Sequence, residues 1–366
     1  MRRPGFSGRA TTILVAAAAV VLTGAGPASA AGPTAVPAAT GTPAMTANNG
    51  WVNIAVQGAD DSLLFYAAED GSPTWDEHTV VGADSTYSAP ATAFIGNTVY
   101  IAAEGRDNTL MIYQNTEGST VWYANTVAGA GTTFSAPSIV TDGGDVDIAA
   151  EGPNSSLDFY WAAGGLSTWH QETVASTLSD TKQPAMVVNG AAIDIAATGA
   201  FSDLYFFWAF NGSSTWHREF VGSADSAPSI AISGILFDIA VVNQSGAPTT
   251  YWATAGTGVW VTIPVAPATG SLATPSIALG GSGPAYIAWQ SSGELLVFTG
   301  FIDQPDWSET TVAGPGTTAS SPSMTASGND ANIAAVSPSG ALDFYWTAND
   351  GSTWNPETIP PGGGTA

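Results

Sequence analysis

Apolar and polar positions along this chain alternate in short stretches bounded by turn residues, and no window of useful length carries a helical period. Residues 135–174, SAPSIVTDGGDVDIAAEGPNSSLDFYWAAGGLSTWHQETV, show the pattern best. Pro137-Ser-Ile-Val is an apolar run stopped by the turn cluster Thr141-Asp-Gly-Gly. Val146-Asp-Ile-Ala-Ala follows, then the loop Gly152-Pro-Asn-Ser-Ser, then the aromatic run Leu157-Asp-Phe-Tyr-Trp161. Thr168-Trp-His-Gln-Glu-Thr-Val174 closes the set after Gly164-Gly165. Aromatic and β-branched residues suit a pleated, packed surface, so four strands of about five residues between turn signals predict an antiparallel meander.

The rest of the chain repeats this unit. A proline opens each copy at Pro43, Pro90, Pro137, Pro184, Pro228, Pro275 and Pro322, at intervals of 47, 47, 47, 44, 47 and 47 residues. A tryptophan near the end of each copy keeps the same spacing: Trp75, Trp122, Trp169, Trp216, Trp260, Trp307 and Trp354. A four-stranded sheet with two apolar faces cannot bury both alone, and a period of this length is the mark of propeller blades that cover one another. The expected fold is an all-β, seven-bladed β-propeller over residues 43–360, with one repeat per blade. The first copy starts with its first strand and the last ends with its fourth, which predicts ring closure by packing and not by a strand swapped from the other terminus. Paired alanines in the second strand (Ala102 and Ala103, Ala149 and Ala150, Ala196 and Ala197, Ala334 and Ala335) suit sheets that narrow toward an axis.

The first 30 residues differ from this pattern. Arg2, Arg3 and Arg9 precede the apolar run Ile13–Leu22 and then Ala28-Ser-Ala30, which is the arrangement of a secretory signal peptide cut after Ala30. That run is too short to span a bilayer, and no later segment is long enough. Residues 31–42 read as a flexible Ala/Pro/Thr-rich leader and 361–366 as a Gly-rich tail. The expected product is secreted, extracellular and not inserted in a membrane.

Charge narrows the partners. Beyond the signal peptide the 30 acidic residues face only Arg106, Lys182 and Arg218. Nucleic acid and anionic lipid need clustered cations, so both are excluded, and anionic glycans would be repelled. Cysteine is absent, and a ring of this size buries enough surface to fold without disulfides.

Catalytic and metal chemistry find little support. There is no Cys and no Gly-x-Ser-x-Gly elbow, and His78, His170 and His217 sit on separate outer strands, where they read as surface residues and not as ligands of one zinc ion. Asp142-Gly-Gly-Asp145 and Asn329-Asp330 are too short for a calcium loop. No catalytic residue, metal site or cofactor is expected.

Two sets of contact residues stand out. The tryptophan present in all seven copies reads as interblade packing. The one ending the third strand varies: Trp161, Trp208, Trp252 and Trp346 occupy it in four copies, Ala67, Gln114 and Thr299 elsewhere. A position optional for folding is free to bind, and flat indoles suit the apolar face of a neutral sugar, with Asn211 and Asn349 (and Asp142) in nearby turns for its hydroxyls. The same four indoles could instead only fill the outer blade. The loops Glu104-Gly-Arg106-Asp-Asn108 and Glu151-Gly-Pro-Asn154 read as solvated turns.

Two resemblances add to this. Thr347-Ala-Asn-Asp-Gly-Ser-Thr-Trp354 resembles the Asp-box hairpin of sialidases and related propellers, with weaker versions at residues 67–75 and 208–216. In those families the box is structural. Two arginines in the mature chain cannot supply the arginine triad that a sialidase uses on its substrate carboxylate. The spacing Asp147-Ile-x-x-x-Gly152-x-Asn154-x-x-Leu157, then aromatics, Gly and Trp, resembles the blade motif of secreted seven-bladed bacterial propeller lectins. That resemblance implies a non-enzymatic, multivalent binder of neutral glycans or polysaccharide, such as fucose or methylated sugars, and assigns no individual contact. The alternatives are a secreted glycoside hydrolase or polysaccharide lyase with one pocket at the propeller axis, and an extracellular protein-interaction scaffold.

Overall fold

The computed structural model describes residues 37–359 except 164–165, 167, 179–181, 281–283, 328–329 and 349–350. The signal peptide, most of the leader and the tail lie outside the described residues. What is described is a ring of seven sheets, each of four antiparallel strands in sequence order. The blades cover 39–81, 91–128, 138–175, 185–223, 229–264, 276–313 and 323–359. No helix among the described residues is long and apolar enough to cross a membrane.

Local sequence dictates the strands closely. In blade 3 they are Ser138–Asp142, Asp145–Glu151, Leu157–Ala162 and His170–Ala175. The outer strand starts at His170 and not at Thr168, because Trp169 leaves the sheet and joins the core shared with blade 2. The prolines of blades 2–7 stand directly before the inner strand, where their missing N–H costs no ladder bond. The second strand is buried on both faces, with Val146, Ile148, Ala149 and Ala150 all at 0% exposure, as expected for a strand between two neighbours inside a sheet that is itself sandwiched.

Seven hydrophobic clusters hold the ring, and each draws its residues from two adjacent blades. Among the described residues no blade has a core of its own. The inner strands are also tied across the ring: backbone N–H groups of Ile277, Met324 and Met45 donate to Ser229 Oγ, Ser276 Oγ and Ser323 Oγ of the preceding blade, at 3.0–3.1 Å.

Among the described residues each sheet is built from four consecutive strands and closure uses no swapped strand, as expected from the repeat phase. The leader contributes more than expected. The first strand is Ala39–Asn48, not one that begins at Pro43, and its irregularity between Thr40 and Ala44 accommodates that proline. The Ala39 N–H donates to Gly340 O at 2.8 Å, and the Ala59 N–H to Ala38 O at 2.7 Å. Residues 38–39 thus fill the place that interblade linkers fill elsewhere, as Leu178 does by accepting from the Ala200 N–H. Gly340 has φ +78°, and a Cβ there would lie 2.6 Å from Ala38 Cβ, so the seam requires glycine.

Candidate functional site

Residues paired across neighbouring strands point to the same side of a sheet, and this places the variable tryptophans. Trp161 pairs with Asp147 and His170, Trp208 with Asp194 and His217, Trp252 with Asp238 and Val261, and Trp346 with Asn332 and Asn355. Phe159, Phe206 and Phe344 lie two residues before three of these indoles and so share their face. That face looks toward the next blade: Phe159 meets Trp216 edge-on at 5.3 Å, Phe344 meets Trp75 at 5.0 Å and Phe206 lies tilted against Trp260 at 5.1 Å.

The repeated tryptophans therefore reach backward into the preceding blade, each joining a cluster shared with it. In three cases the indole N–H also finds a carboxylate there. Trp75 Nε1 donates to Glu357 at 2.8 Å, Trp216 Nε1 to Glu172 at 3.3 Å and Trp260 Nε1 to Glu219 at 3.0 Å. Trp122, Trp169, Trp307 and Trp354 keep their indole nitrogens buried without a protein acceptor.

Between blades 7 and 1 these groups border a cleft of about 240 Å³. Trp346, Phe344 and Glu357 of blade 7 line one side, and Trp75 with the turn Glu69, Gly71, Ser72 and Pro73 of blade 1 lines the other. Trp346 is half-buried, packed against the blade 7/blade 1 core. The Ser72 hydroxyl accepts from the Thr74 N–H at 3.2 Å, which fixes the turn that presents Trp75. A second cleft, bordered by Val174–Thr177, Phe207, Trp216 and Arg218, lies between blades 3 and 4.

Three carboxyl groups lie buried on the second strands, each paired with one of these indoles. Burial raises the Asp147 carboxyl to about 7, with Asp142 and Asp145 adding to it. Asp194 is likewise raised to about 7 by burial, against a hydrogen bond from Asn189 and with help from the Glu219 charge. Asp238, at 0% exposure, lies well above the usual carboxylate range. Glu172 is raised by burial, and the Trp216 N–H opposes the shift. Among the described residues no three His, Asp or Glu side chains converge on a metal position.

The predicted site residues fare differently. Trp161, Trp208 and Trp346 each join a Phe of their own strand and a Glu-bridged Trp of the next blade. Trp252 does not: Thr250 and Ile263 stand where the Phe and Glu would be, and its own indole nitrogen is buried without a protein partner. Asn211 is held away from Trp208 by a bond from its amide to Asp142, on the neighbouring blade 3. Asn349 lies outside the described residues. His170 and His217 are exposed, as expected of surface residues, and stack on Trp161 (5.1 Å) and Trp208 (4.0 Å). Glu172, Glu219 and Glu357 were missed, although each stands three residues after a repeated tryptophan in the sequence. In the loop Glu104–Asn108, Asn108 donates to Glu104 at 2.7 Å and Arg106 lies 3.9 Å from Asp84 with both of those side chains mostly exposed, and Pro153 and Asn154 of the other loop are exposed too, as solvated turns would be.

No known protein family matches the sequence, and no characterised relative matches it either. The fold does have solved counterparts. The BP39L lectin from Burkholderia pseudomallei superposes with a TM-score of 0.76 at 15% identity, covering 89% of this chain and 100% of the lectin. The fucose-specific lectin from Aleuria aurantia gives 0.55 at 14%, covering 91% and 99%. The SapL1 lectin, solved in complex with α-methyl fucoside, gives 0.56 at 12%, covering 76% and 97%. At these identities the likeness is one of fold.

Proposed function

We propose that this protein is exported from the cell and binds neutral glycans in the outer grooves between its blades, without chemical turnover. The cleft between blades 7 and 1 carries the proposal. A pyranose has C–H faces that pack on an indole and hydroxyls that need oriented acceptors. Trp346 and Trp75 offer the first, and Glu357, Glu69 and Ser72 the second. The acidic surface argues for an uncharged ligand, since a carboxylated or sulfated sugar would meet repulsion on nearly every side.

The lectins that share the ring support a sugar over a peptide, and the fucose-specific one makes a fucoside the first ligand to try. A half-open groove buries little of a monosaccharide, so each contact is weak and useful strength comes from engaging several at once. Binding of the protein to an array of neutral and anionic glycans tests this. Retention on neutral glycans, reduced by Trp346→Ala, is the expected result. Failure to bind any neutral glycan overturns the proposal.

A further inference from the structure

Resting on that binding role, we infer that the seven grooves are unequal: those between blades 3 and 4, 4 and 5, and 7 and 1 take a neutral sugar, and the remaining four do not. The repeats give every groove the same four-stranded frame, with a linker three residues shorter between blades 4 and 5, so side chains make the main difference. A working groove needs an aromatic wall and an acceptor held still. In the three chosen grooves the wall is Trp161, Trp208 or Trp346, and the acceptor is Glu172, Glu219 or Glu357. Each of these carboxylates has one oxygen occupied by the next blade's indole N–H, which fixes its position and leaves the other oxygen for a hydroxyl.

The other grooves fail one or both requirements. Between blades 5 and 6 the wall survives as Trp252, but Ile263 replaces the acceptor. Between blades 1 and 2, 2 and 3, and 6 and 7 the wall is Ala67, Gln114 or Thr299. The acceptor position there holds His78, Asn125 or Thr310, and no indole is anchored. Among the three complete grooves, Phe159 and His170 both stack on Trp161 and His217 stacks on Trp208, whereas Trp346 has Asn355 beside it and lines the cleft at the seam. The groove at the ring seam therefore fills first.

The experiment compares four matched substitutions, Trp161→Ala, Trp208→Ala, Trp346→Ala and Trp252→Ala, which remove the same half-buried side chain from the same strand position. Equilibrium dialysis against α-methyl fucoside, or against the methyl glycoside of whichever neutral sugar the array selects, reads the number of sugars bound at saturation. The expected capacity is three per chain, falling to two in each of the first three variants and unchanged in Trp252→Ala. Crystals soaked in the same glycoside should show sugar beside Trp346 at the lowest concentration. A capacity of one or seven, a loss in Trp252→Ala, or sugar density in a groove without its glutamate overturns the assignment. Absence of binding to every neutral glycan would instead remove the binding role on which it rests, and the array separates the two failures.

Discussion

Replacing Asp147 by asparagine should stabilise the ring, and increasingly so as pH rises. The carboxyl is 4% exposed, in the middle of a second strand buried on both faces, and burial holds it protonated up to about pH 7. In the unfolded chain it ionises near 3.9. Below that value both states carry the proton and folding does not sense the group. Between about pH 4 and 7 the unfolded chain releases its proton while the folded chain keeps it, so stability falls with rising pH, and above 7 the full cost is present. At roughly 1.4 kcal/mol per pH unit the ceiling is about 4 kcal/mol, trimmed to about 2–4 kcal/mol by local relaxation. Asparagine removes the proton equilibrium with little change of shape, and blades 1 and 7 already use it at this position as Asn53 and Asn332. Thermal melting of both proteins at pH 4, 5, 6, 7 and 8 measures the difference. The curves should coincide near pH 4 and separate steadily, with the variant higher by several degrees at pH 8. A wild-type melting temperature that is flat from pH 5 to 8, or a variant that melts lower at pH 8, would refute the reasoning.

Other expectations concern the seams between blades. Trp75→Phe keeps the edge contact with Phe344 but strips Glu357 of its donor, so it should cost about 1–3 kcal/mol in urea unfolding. Trp307→Phe, whose N–H has no protein acceptor, should cost less. Deleting the chain through residue 42 removes the Ala39 bond to Gly340 of blade 7 and the Ala38 bond to Ala59 of blade 1, and limited proteolysis should then cut blades 1 and 7 first. Ile263→Glu supplies the missing acceptor beside Trp252 and gives Trp307 Nε1 a partner, so dialysis should find a fourth bound sugar.

How much of this was visible beforehand depends on whether the signal lies inside one repeat. Strand positions, blade number and the packing role of the repeated tryptophans were legible because turn residues, alternation and the 47-residue spacing all act locally. The seam was only half legible: the proline marks suggested a start at Pro43, while residues 38–39 are ordered by bonds to blades 1 and 7 that no local pattern announces. The same holds at the site. Trp161, Trp208 and Trp346 could be chosen from their optional occurrence, but that rule also chose Trp252, because it ignores the partner across the groove. Glu172, Glu219 and Glu357 looked like ordinary outer-strand polar residues. Their meaning appears only when the tryptophan of the following blade, 41 or 44 residues on in the sequence or, at the seam, 282 residues back, is seen to reach them in space. His170 and His217 are exposed outer-strand residues, as read from the sequence, and cross-strand pairing adds their stacking on Trp161 and Trp208.

The glutamates also bear on why the grooves should differ at all. A half-buried carboxylate is poor material for holding blades together: burial raises Glu172 even with an indole bond opposing the shift. The four interfaces that lack such a glutamate still close on clusters of the same kind, with an unpartnered indole nitrogen in each. Folding therefore demands the tryptophan seven times and the glutamate never. The glutamate occurs only where a tryptophan also ends the third strand, and a shared requirement outside folding explains that pairing. The placement round the ring has a consequence of its own. Two complete grooves are adjacent, one blade apart, and the third lies three blades from either. A branched glycan with short arms can occupy the adjacent pair together, whereas joining the third needs a ligand that crosses the face of the ring or a surface displaying many copies. Avidity on a glycan-coated surface should thus depend on Trp346 more than capture of a free branched oligosaccharide does, which depends on Trp161 and Trp208.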